Sequence, residues 1–200
     1  MKSMIQSPGL KLANRNDKPI IKNILIDSFR HDPHIMWLIE QSPKQNKLEL
    51  IMDYLIEDAF EEGEIYLTND NMAVALWKTE KKSALTIGGL KRDFSFLWNM
   101  GLDCVIRNLN NKTNTAKQFP KNQAFYYLYS IAVSPEAQGR GLASRLMNPM
   151  LEECAVRNLP VFLETGNAMN VEIYKKKGFV LTERIDQGSL SVYYMKYFPN

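Results

Sequence analysis

The residues best placed to do chemistry in this 200-residue chain lie in one loop, Ile131-Ala132-Val133-Ser134-Pro135-Glu136-Ala137-Gln138-Gly139-Arg140-Gly141-Leu142-Ala143. An apolar, β-forming run ends at Val133, Pro135 blocks its continuation, and two glycines lead straight into a helical pattern. Glycine there lets the main chain turn and lets a ligand come close to the backbone. The unpaired N–H groups and dipole of a helix start then make a seat for an anion such as a pyrophosphate. Arg140 adds a forked cationic donor beside it. Two glycines at a strand-to-helix turn can also serve only to make the turn. Two nucleotide-binding patterns are disfavoured: Ser144, Arg145 and Leu146 follow where a dinucleotide fingerprint needs a third glycine or alanine, and the Gly-Lys-Ser/Thr of a phosphate loop is missing.

A second candidate is Glu164, a carboxylate at the end of the apolar run Val161, Phe162, Leu163. A charge in such a strand suits a general base, acting directly or through a water, and equally suits a structural partner for a basic side chain. His31 and His34 are close enough to share a metal, but no third ligand stands at useful spacing, so no metal is expected. Lys175, Lys176 and Lys177 read as a solvated helix end whose charge suits the dipole, with contact to a phosphate as the other reading.

These residues need elements to hold them. Asn16 and Asp17 resemble a helix cap with Pro19 in the first turn, and Ile20, Ile21, Ile24, Leu25 and Phe29 recur at helical spacing as far as about Arg30. His31-Asp32-Pro33 ends that helix, and a short apolar stretch runs from Ile35 to Ile39. Ser42-Pro43 is expected to open a second helix that Gly63 stops. Residues 65–68 and 72–78 read as a hairpin around Asn69-Asp70-Asn71. From 85 to about 117 the pattern is helical, with Phe94, Leu97, Leu102, Val105, Ile106 and Leu109 on one face, Trp98 in the core and a loop at 110–115. Then follow a strand 124–133, a helix 141–157, a strand 161–165, a helix 168–177 and strands 179–184 and 190–197. The expectation is one mixed α/β domain over 1–200, with a helical insertion at about 85–118.

Composition narrows the class. Hydrophobic residues make up 45% and charged residues 24%, which supports a folded core. The net charge of +3 is spread along the chain rather than gathered into runs, so no nucleic-acid groove is expected. Met1 to Gly9 lacks a signal-peptide pattern, and no apolar run approaches the roughly 18 residues a bilayer span needs. Cys104 and Cys154 form no disulfide framework, so a reducing cytoplasm is the expected location.

The glycine loop resembles the acetyl-CoA-binding motif of the GCN5-related N-acetyltransferase (GNAT) superfamily, Arg/Gln-x-x-Gly-x-Gly/Ala, with Gln138, Gly141 and Ala143 at its fixed positions. Asn167-Ala168-Met169-Asn170-Val171-Glu172-Ile173-Tyr174 followed by Gly178-Phe179 is similar to that family's second signature, and Leu163-Glu164-Thr165 to its puromycin acetyltransferase-like branch. The likeness covers about 124–184. It implies the acyl-CoA N-acyltransferase fold, a mostly antiparallel twisted sheet of about six to seven strands flanked by helices, and acetyl transfer from acetyl-CoA to a primary amine. By that likeness, main-chain groups of Ile131, Ala132 and Val133 pair with the pantetheine arm, and an N–H near Val133 meets the thioester carbonyl. Gln138, Gly139, Arg140, Gly141, Leu142 and Ala143 hold the pyrophosphate, and Asn167 bonds the pantetheine. Tyr174 is then the general acid for the coenzyme A sulfur, a phenol being neutral and protonated at working pH; its other reading is a ring packed on a helix face. His34 and Trp37 become acceptor-side candidates. A small amine is the expected acceptor, with a protein amino group or a non-catalytic acyl-CoA sensor as alternatives, and a homodimer is possible by analogy.

Overall fold

The computed structural model describes residues 7–40, 45–79, 98 and 100–199. Among the described residues, seven strands form one sheet in the order β1-β2-β3-β4-β5-β7-β6: β1 Leu10–Leu12, β2 Gly63–Thr68, β3 Ala73–Thr79, β4 Tyr126–Val133, β5 Val161–Thr165, β6 Val180–Gln187 and β7 Leu190–Tyr197. Every neighbouring pair is antiparallel except β4 with β5. The mostly antiparallel sheet and its flanking helices agree with the expected fold. β1, three residues long, is an element the sequence did not announce.

Helices α1 (Lys18–Phe29), α2 (Pro33–Ile39), α3 (Lys47–Glu62) and α4 (Leu102–Gln118) pack on one face. There Ile21, Ile24 and Leu25 of α1 and Ile51, Met52 and Ile56 of α3 close over Val74, Leu76 and Ala132. Helices α5 (Leu142–Val156) and α6 (Ala168–Lys175) cover the other face, where Leu146, Met147, Met150, Val171 and Tyr174 meet Ala75, Trp77, Leu128 and Leu163. The alternation of strand side chains between two apolar layers is what makes β3 and β4 buried on both sides.

Several local expectations are corrected. Asp17 stands at the N-cap of α1 with Pro19 in the first turn, as expected, but its side chain makes no cap bond there. It accepts instead from the Asn14 N–H at 2.9 Å while Asn14 accepts from the Asn16 N–H at 2.9 Å, a reciprocal capping box around the 3-10 turn Arg15–Asp17. The stretch Ile35–Ile39 is helical because Asp32 caps it, accepting from the N–H groups of His34 and Ile35 at 3.0 Å, with Pro33 in the first turn. The Ser42-Pro43 helix start and most of the stretch 85–99 lie outside the described residues. Residues 110–115 are helix, not loop. The face of α4 that is buried carries Cys104, Asn111 and Thr115, whereas Leu102, Ile106 and Leu109 are exposed, as is Trp98. No helix among the described residues is long and apolar enough to cross a membrane.

Candidate active site

The feature that organises the site is where strand pairing stops. β4 and β5 are paired only over Tyr126–Leu128 and Val161–Leu163, yet β4 runs on to Val133. The cause is a bulge: opposite Leu76 and Trp77 of β3 stand Ser130 and Leu128, which leaves Tyr129 as an extra residue in β4. Beyond it β4 follows β3 and departs from β5.

Parity tells which main-chain groups face the opening. The Ser134 N–H donates to the Met72 carbonyl at 2.8 Å, so the hydrogen-bonded pairs toward β3 continue at Ala132 and Ser130. Ile131 and Val133 therefore turn their N–H and C=O groups away from β3, into the gap. One of these acceptors is taken, because Ser28 Oγ on α1 donates to the Val133 carbonyl at 2.9 Å. Ala132, of the three predicted positions, instead pairs with β3 and buries its side chain in the α1/α3 layer.

The gap opens toward the glycine loop. Gly139 and Gly141 adopt φ of +79° and +76°, and a Cβ at either would meet nothing within 4 Å. A left-handed backbone beside open space is a cradle for a ligand as well as a turn. Gly141 is the N-cap of α5 and gives no side-chain cap, so the first N–H groups of the helix, beginning with Leu142 and Ala143, point outward without an intrahelical partner. Leu142 anchors that turn by burying its side chain. The Arg140 guanidinium is turned back onto the Glu136 carbonyl at 3.0 Å, and Gln138 Nε2 reaches the Val133 carbonyl at 3.4 Å. Both side chains are exposed at the rim.

Tyr174 lies on α6 against Phe179, ring centroids 5.9 Å apart, and is only 9% exposed. Burial, and secondarily the Asp32 carboxylate, pushes its phenol up to about 12, so it holds its proton. Asn167 caps α6 by accepting from the Met169 N–H at 3.0 Å, which leaves its amide nitrogen for a ligand. α2 is docked on the end of β5, where His34 crowds Gly166. His34 and Trp37 stack edge to face, 6.2 Å between centroids, and Trp37 packs on Leu190, Val192 and Tyr194 of β7.

Glu164 falls on the face opposite Tyr174. Asn111 Nδ2 donates to its Oε1 at 2.8 Å and the Thr115 hydroxyl donates to its Oε2, both from α4. No described basic side chain forms an ion pair with it. Asn111, Thr115 and Ser28 were not anticipated from the sequence; the i, i+4 spacing of Asn111 and Thr115 was the available signal, hidden in a run that resembled a loop. No group of three or more His, Cys, Asp or Glu among the described residues is arranged to hold a metal.

An open α/β sheet whose two central parallel strands splay apart beside an uncapped helix start defines the acyl-CoA N-acyltransferase class of fold. Residues 110–179 match the model of the Acetyltransferase (GNAT) family. An uncharacterized N-acetyltransferase of Schizosaccharomyces pombe is 25% identical over 174 residues, spanning 80% of this chain and 70% of that protein. A crystal structure of a histone acetyltransferase and related acetyltransferase from Corynebacterium glutamicum superposes with a TM-score of 0.71 at 22% identity, covering 98% of each chain. Arylalkylamine N-acetyltransferase 2 from Aedes aegypti gives 0.66 at 14% identity, covering 96% of this chain and 98% of its own.

Proposed function

We propose that this protein transfers an acetyl group from acetyl-CoA to a primary amine of a small molecule, by direct attack in a ternary complex. The observation that carries the reading is the gap itself: β4 continues to Val133 while β5 leaves it after Leu163, and the open edge leads to the start of α5. Acetyl-CoA, when bound, supplies the activated acetyl group as a thioester. The N–H groups of Leu142 and Ala143 and the open turn at Gly139 and Gly141 suit its pyrophosphate. From there an extended arm passes Val133 first and Ile131 second, pairing as an added strand. The reacting end thus comes closest to the Ile131 N–H, deeper than Val133, and that group polarises the carbonyl oxygen.

Tyr174 gives its proton to the departing sulfur, and its buried setting keeps that proton available through the working range. Asn167 turns its amide nitrogen to the arm while its oxygen caps α6. The acceptor approaches on the side of α2 and α4, where Trp37 and Glu164 stand. The arylalkylamine acetyltransferase of the mosquito acts on small amines by its name, which supports this class of acceptor; a protein amino group is the second reading, favoured by the histone acetyltransferase likeness.

Calorimetric titration of the purified protein with acetyl-CoA, followed by a thiol-release assay on an amine panel, tests the reading. Saturable binding should raise stability by about 2.7 kcal/mol at a hundredfold excess over Kd. A folded sample that binds no acyl-CoA would remove the reading altogether.

A further inference from the structure

On the acceptor side, Glu164 is a half-buried carboxylate without a counter-ion among the described residues. Both its oxygens accept from neutral donors, Asn111 Nδ2 and Thr115 Oγ1, and one lone pair on each remains. The cradle is rigid: Asn111 and Thr115 are 8% and 7% exposed, and Gln187 Nε2 orients Asn111 by donating to its Oδ1 at 3.3 Å. Among the described residues, Lys78 is engaged with Asp58 and Glu62, Lys112 with the Tyr54 hydroxyl, and Lys196 over the Phe162 ring. Opposite Glu164 across the β5–β7 ladder stands Tyr194, 2% exposed, whose buried hydroxyl has no hydrogen-bond partner by geometry among the described residues. Burial and the Glu164 charge push the phenols of Tyr127 and Tyr194 up, so both remain neutral beside it.

A fixed, partly desolvated carboxylate between tyrosines is costly unless a cation meets it. The Tyr194 hydroxyl adds an acceptor for an ammonium ion. An amine held on that carboxylate is protonated and cannot attack a thioester, so the group it holds is not the group that reacts.

Resting on the acetyl-transfer reading above, we propose that Glu164, oriented by Asn111 and Thr115 beside Tyr194, binds a second, non-reacting ammonium group, making diamines and similarly dicationic amines the acceptors. Steady-state thiol release with acetyl-CoA, comparing 1,4-diaminobutane with butylamine, tests it. The diamine should have a kcat/KM about 10–100-fold higher, the range of a charge-assisted hydrogen bond. In Glu164→Gln that ratio should collapse toward one, through a raised KM for the diamine. Equal use of both amines by the unmodified protein overturns the proposal. So does a Glu164→Gln variant that keeps the ratio and loses kcat for both, which would make Glu164 the proton acceptor. Failure of both amines in a protein that binds acetyl-CoA would instead sink the acetyl-transfer reading. Calorimetry of 1,4-diaminobutane into the coenzyme A-loaded protein then decides: binding that Glu164→Gln abolishes supports the carboxylate's role, and absent or unaltered binding overturns it.

Discussion

Gly166 and His34 are in closer contact than any side chain at position 166 would permit: a Cβ there would lie 2.9 Å from His34 Cβ and 3.1 Å from its main-chain nitrogen. That contact seats α2 on the end of β5 and brings Asp32 toward Tyr174. Gly166→Ala should therefore push α2 outward at a cost of about 1–3 kcal/mol, the range of overpacking. A thermal melt reads the cost, and acceptor KM should rise while acetyl-CoA affinity changes little. An unaltered melt and KM would mean that α2 is not held by this contact.

Tyr174 is buried against Phe179, and a phenyl ring fills the same space. Tyr174→Phe should leave the fold and acetyl-CoA affinity intact and lower kcat by about 10²–10⁴-fold. The pH dependence has a definite sign. Burial disfavours the phenolate, so the proton is retained until pH approaches about 12. The kcat profile of the unmodified enzyme should then show no loss from this group between pH 7 and 10. An alkaline limb near pH 10 that vanishes in Tyr174→Phe would place the phenol in solvent instead.

At Gly141 the obstacle to a side chain is conformational, since a Cβ meets nothing within 4 Å while φ is +76°. The strain at Gly141 therefore comes before any ligand. Gly141→Val should cost about 1–2 kcal/mol in the free protein. Its β-branched side chain should also fill the cradle and weaken acetyl-CoA binding far more than it lowers the melting temperature. Calorimetry beside a melt separates the two, and full affinity at reduced stability would show that the loop is only a turn.

The motif-bearing half was legible because each piece carries a local signal: apolar strand, Pro135, two glycines, helical period. What was not legible is long-range. The gap depends on the extra residue Tyr129, and no pattern in β4 marks it as a bulge. Asn111 and Thr115 looked like loop chemistry because short polar side chains compete with the backbone. They are helical here because Glu164, some fifty positions on in the chain, accepts from both. Periodicity placed Leu102, Ile106 and Leu109 on one stripe correctly, but period alone does not say whether a stripe faces the core or water. The roles of Glu164 and Tyr174 were legible only as candidates; that they lie on opposite faces of the sheet could not be read from one strand and one helix.

Beneath the bulge, Lys78 of β3 forms an ion pair with Asp58 of α3, and its ammonium lies 3.9 Å from the centroid of the Tyr129 ring. Asp58 is 3% exposed, so neither charge is well hydrated. Lys78 also meets Glu62 at 3.3 Å, so Asp58→Asn should destabilise by less than the roughly 3–5 kcal/mol of a fully stranded buried charge. Replacing both, Asp58→Leu with Lys78→Met, should recover most of that loss, because a buried pair gains little over apolar packing of similar volume. The double variant also removes the cation from the Tyr129 face, so the bulge and the gap it opens should lose definition. Recovered melting temperature with weakened acetyl-CoA binding is the expected pairing. Recovery of both would show that Lys78 and Asp58 stabilise the fold without shaping the site, and the geometry of the gap would then rest on the β3–β4 register alone.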